Sequence, residues 1–172
     1  RDVPADLQTG RRDLTLATVL TQSPALFIGV CVLFGLLIGS FLNVVIYRTP
    51  KMLEAEWRLQ CAELAGREVP TEGPKFNLMT PRSACPSCNA PITALQNIPV
   101  VSWLWLRGKC TACSARISAR YPLVELFTGV AFGVVAWQFG FGWTAAAALV
   151  FTAFLIALTG IDIDTQLLPD NL

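Results

Sequence analysis

The sequence predicts an all-α polytopic membrane protein with a small cytoplasmic zinc-ribbon-like domain inserted between the first and second transmembrane helices. Three observations carry that fold class. The 172 residues are 53% hydrophobic and only 15% charged, with a mean hydropathy of +0.53, too apolar for an ordinary water-soluble domain. Two long stretches, Leu14 to Tyr47 and Leu126 to Ile161, contain no charged residue. Between them lie two CxxC pairs, Cys85-Pro-Ser-Cys88 and Cys110-Thr-Ala-Cys113.

Residues 1–23 form a polar amino-terminal segment. The dense apolar run from Pro24 to Tyr47 is 24 residues long, more than the roughly 20 a helix needs to cross a bilayer, and is the first span. Gly35 and Gly39 are four apart within it, a spacing that lets two membrane helices approach closely. The second uncharged stretch has 36 residues. As one helix it would be about 54 Å long, far beyond a bilayer core of about 30 Å. Phe139-Gly-Phe-Gly-Trp143 is a natural break, giving spans at 122–139 and 143–161 with Trp137 and Trp143 near one interface. Pro122 suits a first helical turn, and Glu125 there is expected to complement the helix dipole.

Residues 48–121 are the intervening loop. Arg48, Lys51, Arg58, Arg107, Lys109, Arg116 and Arg120 flank it, against mainly Arg11 and Arg12 at the other end of the first span, so the loop is expected on the cytoplasmic side. Met52 to Gly66 can form a short helix with Leu53, Trp57 and Leu64 as a rough apolar face and Glu54 and Arg58 four apart. Pro70 to Pro81 is a connector. The CxxC pairs, 21 residues apart, are spaced to fold four thiolates around one tetrahedral Zn²⁺. A disulfide pair would need an oxidising compartment, and a redox CxxC needs no second pair. All four zinc ligands would come from protein, which makes the site structural and leaves no open position for catalytic water. Cys31 and Cys61 have no partner in sequence and are expected to be inert. Ile98 to Leu106 is too short to span and too apolar for water; it is expected to pack on the ribbon, with the membrane surface as the alternative.

A formal charge of +1 gives no basic field, so nucleic acid is not an expected partner. The absence of His removes Ser/His/Asp and Cys/His nucleophiles and every His-ligated metal site. Carboxylates remain, and Ile161-Asp-Ile-Asp164 lies where the third span returns to the loop side. Asp162 and Asp164 are about 200° apart around a helix, so only one of them is expected to face the bundle unless the helix unwinds. Ionisable groups at a span edge are functional by default. The same residues could mark a helix end in water, or a DxD metal motif of glycosyltransferase type. The glycine and further oxygens of a calcium loop are missing. The chemistry of greatest interest is an aspartyl protease, in which two carboxylates share one proton.

Taken together, Gly39-Ser-Phe-Leu-Asn-Val-Val-Ile-Tyr-Arg48, Cys85-Pro-Ser-Cys88, Asn97-Ile-Pro99 through Arg107-Gly-Lys-Cys110 with Cys113, Arg120-Tyr-Pro-Leu-Val-Glu125, and Ile161-Asp-Ile-Asp-Thr-Gln-Leu-Leu-Pro-Asp170 resemble the amino-terminal part of a type IV prepilin peptidase. The resemblance runs from about Pro24 to the last residue, in the family's order. It implies a bifunctional enzyme of the bacterial inner membrane that removes the leader of type IV prepilins and type II secretion pseudopilins. The same enzyme then methylates the new amino terminus with S-adenosylmethionine. It further implies Asp162 as the first catalytic aspartate, Asp164 and Asp170 as supporting acidic positions, and Cys85, Cys88, Cys110 and Cys113 as zinc ligands. Residues 162–172 would then begin the catalytic segment. The family's second aspartate sits in a Gly-x-Gly-Asp motif that these residues do not contain, so the chain is expected to be a fragment unable to cleave alone. A membrane-anchored zinc ribbon that binds other proteins without catalysis is the alternative.

Overall fold

A computed structural model of the chain describes residues 16–66, 76–93 and 95–166. Asp170, the last residues of the acidic segment and residues 70–75 of the 70–81 connector lie outside them. The order is α1 (Leu16–Gln22), α2 (Pro24–Leu64), a 3₁₀ turn (Leu95–Asn97), α3 (Val101–Trp105), α4 (Arg120–Phe139) and α5 (Trp143–Thr165). Among the described residues α2, α4 and α5 are long and apolar enough to cross a membrane, and no extended strand forms beyond two isolated bridges.

The second and third long apolar helices are separated at residues 140–142. Helix α4 ends at Phe139, Gly140 takes φ 64° past its end, and α5 starts at Trp143. A left-handed residue at that position favours glycine because no Cβ meets the preceding carbonyl.

One expectation is corrected. The expected helix from Met52 does not stand apart from the first apolar helix; both belong to one 41-residue helix, about 62 Å long. Pro50 lies inside it. Proline removes one intrahelical hydrogen bond and crowds the preceding turn, a cost of about 3 kcal/mol, and the packing of the buried Arg48, Pro50 and Leu53 offsets it there. Of the expected apolar face after Pro50, Leu53 is buried, whereas Trp57 and Leu64 are exposed. The Glu54–Arg58 pair forms at 3.9 Å on the exposed surface.

Helix α2 is the axis of the bundle and lies chiefly against α4, with glycines setting the separation. A Cβ on Gly35 would stand 2.9 Å from Gly129 Cα, and one on Gly39 would stand 2.7 Å from Glu125 Cα. From the other side, Cβ atoms on Gly129 and Gly133 would press on Leu36 and Val32 at 2.9 and 2.8 Å. In lipid no hydrophobic force draws helices together, so such close backbone approach supplies the dispersion contact. Helix α5 closes the bundle at two levels. Leu42, Val45 and Ile46 pack with Ala157 and Ile161 at one end; Phe27 and Cys31 pack with Ala136 and Ala145 at the other. There Phe27 meets Phe141 edge to face at 5.5 Å, and Trp137 and Trp143 stand exposed.

Candidate metal site and acidic helix end

The two CxxC pairs fold as near copies of one knuckle. In each, the first cysteine donates its N–H to the carbonyl five residues on: Cys85 to Ala90 and Cys110 to Ala115, both at 2.9 Å. The residue after the second cysteine donates back to the first one's carbonyl, Asn89 to Cys85 at 2.9 Å and Ser114 to Cys110 at 3.0 Å. That return requires a positive φ, 56° at Asn89 and 57° at Ser114. Isolated bridges Ala84–Pro91 and Lys109–Arg116 close each knuckle at the same offset.

The knuckles face one another, and all four Sγ atoms lie within 4.8 Å of each other. Cys85 and Cys113 are 3.7 Å apart and Cys88 and Cys110 4.0 Å. A tetrahedral ion with metal–sulfur bonds of about 2.3 Å, such as zinc, sets sulfurs about 3.8 Å apart, so the cluster fits one. The backbone N–H of Ala112 points at Cys110 Sγ at 3.4 Å. Backbone N–H groups of Ser87 and Cys88 bring the Cys85 thiol down to about 6. Cys113 receives the Ala115 N–H, yet burial and the crowding thiols of Cys88, Cys85 and Cys110 push it up to about 12. Four such thiols cannot all ionise unaided; a divalent cation at their centre resolves the conflict.

Between the knuckles, the apolar run from Ile98 to Leu106 is split in two directions. Trp103 turns inward, donating its indole N–H to the Ile117 carbonyl at 3.2 Å. Its ring also fills the space over Gly108, where a Cβ would come within 2.8 Å. Val101, Leu104 and Trp105 turn outward and are exposed. The expected packing on the ribbon is therefore met by Trp103 and not by the rest of α3.

Two polar side chains of the bundle, Arg48 and Glu125, hold this loop domain, and a third, Asn43, braces the bundle beside them. Arg48, buried at the end of the apolar part of α2, donates to the carbonyls of Asn77 and Pro81 at 2.8 and 2.6 Å. Phe76 lies against its guanidinium, 5.6 Å from ring centre. Asn43 donates to the Tyr121 carbonyl at 3.0 Å, joining α2 to the first turn of α4. Glu125 does not act on the helix dipole as expected: it is buried against α2 near Ser40 and accepts the Val100 N–H at 2.7 Å. Its neighbours from α2 and from the loop, 25 residues earlier in the chain, outweigh the weak pull of its own helix start.

Helix α5 stays regular through both acidic residues and ends at Gln166, whose left-handed backbone donates to the Asp162 carbonyl at 2.8 Å. Asp164 is the one that turns to a neighbouring helix, pairing with Arg120 at 2.6 Å. Asp162 is exposed at the same end. Arg48, Arg120, the knuckles and the acidic helix end thus share one end of the bundle, as the three-span reading requires. Arg120, Asn43 and Arg48 had no local signal marking their partners.

The bacterial peptidase A24 N-terminal domain matches residues 33–139, well over half of the chain. The chain belongs to this family. Within the A24 family it is 57% identical to the prepilin leader peptidase/N-methyltransferase of Neisseria gonorrhoeae over 139 residues, covering 80% of this chain and 49% of that protein. It is 51% identical to the protein of the same name from Stutzerimonas stutzeri over 161 residues, 92% of this chain and 55% of that one. The Pseudomonas aeruginosa protein of that name is 48% identical over 159 residues, again 92% and 55%. The chain spans about half the length of the curated relatives it matches. No solved structure matches it.

Proposed function

We propose that this A24 chain is the amino-terminal half of a prepilin leader peptidase/N-methyltransferase of the bacterial inner membrane, with the four-cysteine loop on the cytoplasmic side. The enzyme cleaves the leader from type IV prepilins and type II secretion pseudopilins, then methylates the exposed amino terminus with S-adenosylmethionine. Asp162 is the first of two catalytic aspartates. The second comes from outside these 172 residues, so the two carboxylates meet only in the longer protein and these residues do not cleave alone. In the dyad one carboxylate takes a proton from water while the other donates to the peptide carbonyl, as two like charges at close range cannot both stay ionised. Asp164, held by Arg120, and Asp170 support that site. Cys85, Cys88, Cys110 and Cys113 bind one structural Zn²⁺, which orders a domain too small to build much core of its own.

The observation that carries this reading is identity of 48–57% to proteins of that name across 80–92% of the chain. The placement of Asp162 on the ribbon side of the bundle is consistent with it. The test is mass spectrometry of a purified leader-bearing prepilin incubated with membranes holding the full-length protein, with and without S-adenosylmethionine. Loss of the leader in both, and one added methyl group only with the donor, is the expected result. An unchanged substrate with a metal-loaded, folded protein would favour the non-catalytic binding module instead.

A further inference from the structure

We propose that α3 is an interfacial anchor: its outward face is seated in the headgroup and upper acyl region of the bilayer, so the cysteine domain lies on the membrane rather than standing off it in water. This rests on the membrane-spanning reading of α2, α4 and α5 and on nothing about catalysis.

The depth follows from one hydrogen bond. The backbone N–H of Val100, the residue before α3, is bound at 2.7 Å by Glu125, which lies beside Ser40 of α2. On α4, Glu125 is five residues past Arg120, the first charge, or about 7.5 Å along the helix axis. On α2, Ser40 is eight residues before Arg48, or about 12 Å. The start of α3 is therefore tethered below the ring of Arg48 and Arg120 that marks the membrane edge. Helices lying in the interface sit about 5–10 Å into the headgroup and acyl boundary, which matches the depth counted along α4 and is slightly shallower than that counted along α2.

The side chains suit that depth. Val101, Leu104 and Trp105 fall at i, i+3 and i+4, one face of the helix. They are 56%, 62% and 85% exposed, while Trp103 on the other side is committed to Ile117 and Gly108. A tryptophan that exposed in water loses much of its transfer energy; at an interface its amphipathic ring is at its preferred position. Arg107 and Lys109 follow within four residues, placed for anionic headgroups. Val100 itself takes φ 58° and ψ −48°, costly for a β-branched residue, at the point where Glu125 holds the start of α3.

The test places a photoreactive benzoylphenylalanine in the full-length protein, in native membranes, at position 105 and separately at 104, 130 and 57. Val130 is an exposed mid-span residue of α4; Trp57 is nine residues past Arg48, about 13.5 Å beyond it. The proposal expects phospholipid adducts as the major product at 105, 104 and 130 and none at 57. Lipid adducts at 130 but only protein cross-links or no adduct at 104 and 105 would overturn it, the former by placing the remainder of the chain or a second copy on this face. Equal lipid adducts at 57 and 105 would overturn it as well, since no selective depth would remain. No lipid adduct at 130 would instead overturn the membrane reading on which the proposal stands.

Discussion

Replacing Gly39 by alanine adds a single methyl group where two helix backbones meet. The new Cβ would stand 2.7 Å from Glu125 Cα and 3.1 Å from both Cβ and Oγ1 of Thr128. Ordinary carbon contacts lie at about 3.5–4.0 Å, so α2 and α4 must separate by about 1 Å. No rotamer can relieve this, because the opposing atom is backbone. Overpacking of this kind costs about 1–3 kcal/mol, and alanine in a helix interior returns up to about 1 kcal/mol of propensity. The net expectation is about 1–2 kcal/mol of destabilisation, a factor of about 5–30 in the ratio of folded to unfolded protein. Gly29→Ala is the internal control, since a Cβ there meets nothing within 4 Å. Equilibrium unfolding of the full-length protein in mixed micelles, followed by tryptophan fluorescence, reads the difference. If Gly39→Ala and Gly29→Ala unfold at the same denaturant fraction, the close α2–α4 approach is not what holds the bundle together.

Other outcomes follow from the same contacts. Cys85→Ser in protein purified with reducing agent lowers zinc from about one per chain to near none by elemental analysis, and full retention would remove Cys85 from the ligand set. Arg48→Ala removes both carbonyl partners of segment 76–81, hydrogen bonds to a charged group worth about 1.5–3 kcal/mol each; limited proteolysis should cut that segment faster, and unchanged cleavage would count against the tether. Arg120→Ala and Asp164→Asn, combined in a double-mutant cycle, should give a coupling below about 1 kcal/mol, because the Arg120 side chain is 45% exposed and solvent screens the pair. A larger coupling would mean the pair is shielded in the full-length protein.

What the sequence revealed was set by local pattern. The long apolar helices and the Phe139–Trp143 turn follow from uncharged runs and glycine placement, and the four-cysteine cluster follows from CxxC spacing, because knuckle geometry is built from residues within about seven of one another. The Gly35–Gly39 spacing announced a close helix approach but not its partner; Gly129 and Gly133 complete it from a helix more than 90 residues on. The continuity of α2 through Pro50 was hidden because proline's local cost is legible and the anchoring that offsets it is not. Asn43 with Tyr121, 78 residues apart, Arg48 with Asn77 and Pro81, and Glu125 with Val100 are tertiary choices. Each side chain could be seen as polar at a span edge, but no periodicity tells where its hydrogen bond goes. The acidic pair divides in the same way: helical geometry sends Asp162 and Asp164 apart, and only the position of Arg120 decides which one is taken up by the bundle.

The measurement that bears most directly on the account is cleavage of a leader-bearing prepilin by the full-length protein in membranes, comparing wild type with Asp162→Asn at equal abundance and equal zinc content. Asparagine keeps the shape of the side chain but cannot shuttle a proton. The account predicts cleavage by wild type and none by Asp162→Asn; equal cleavage by both would contradict it and leave Asp162 as a solvated helix end.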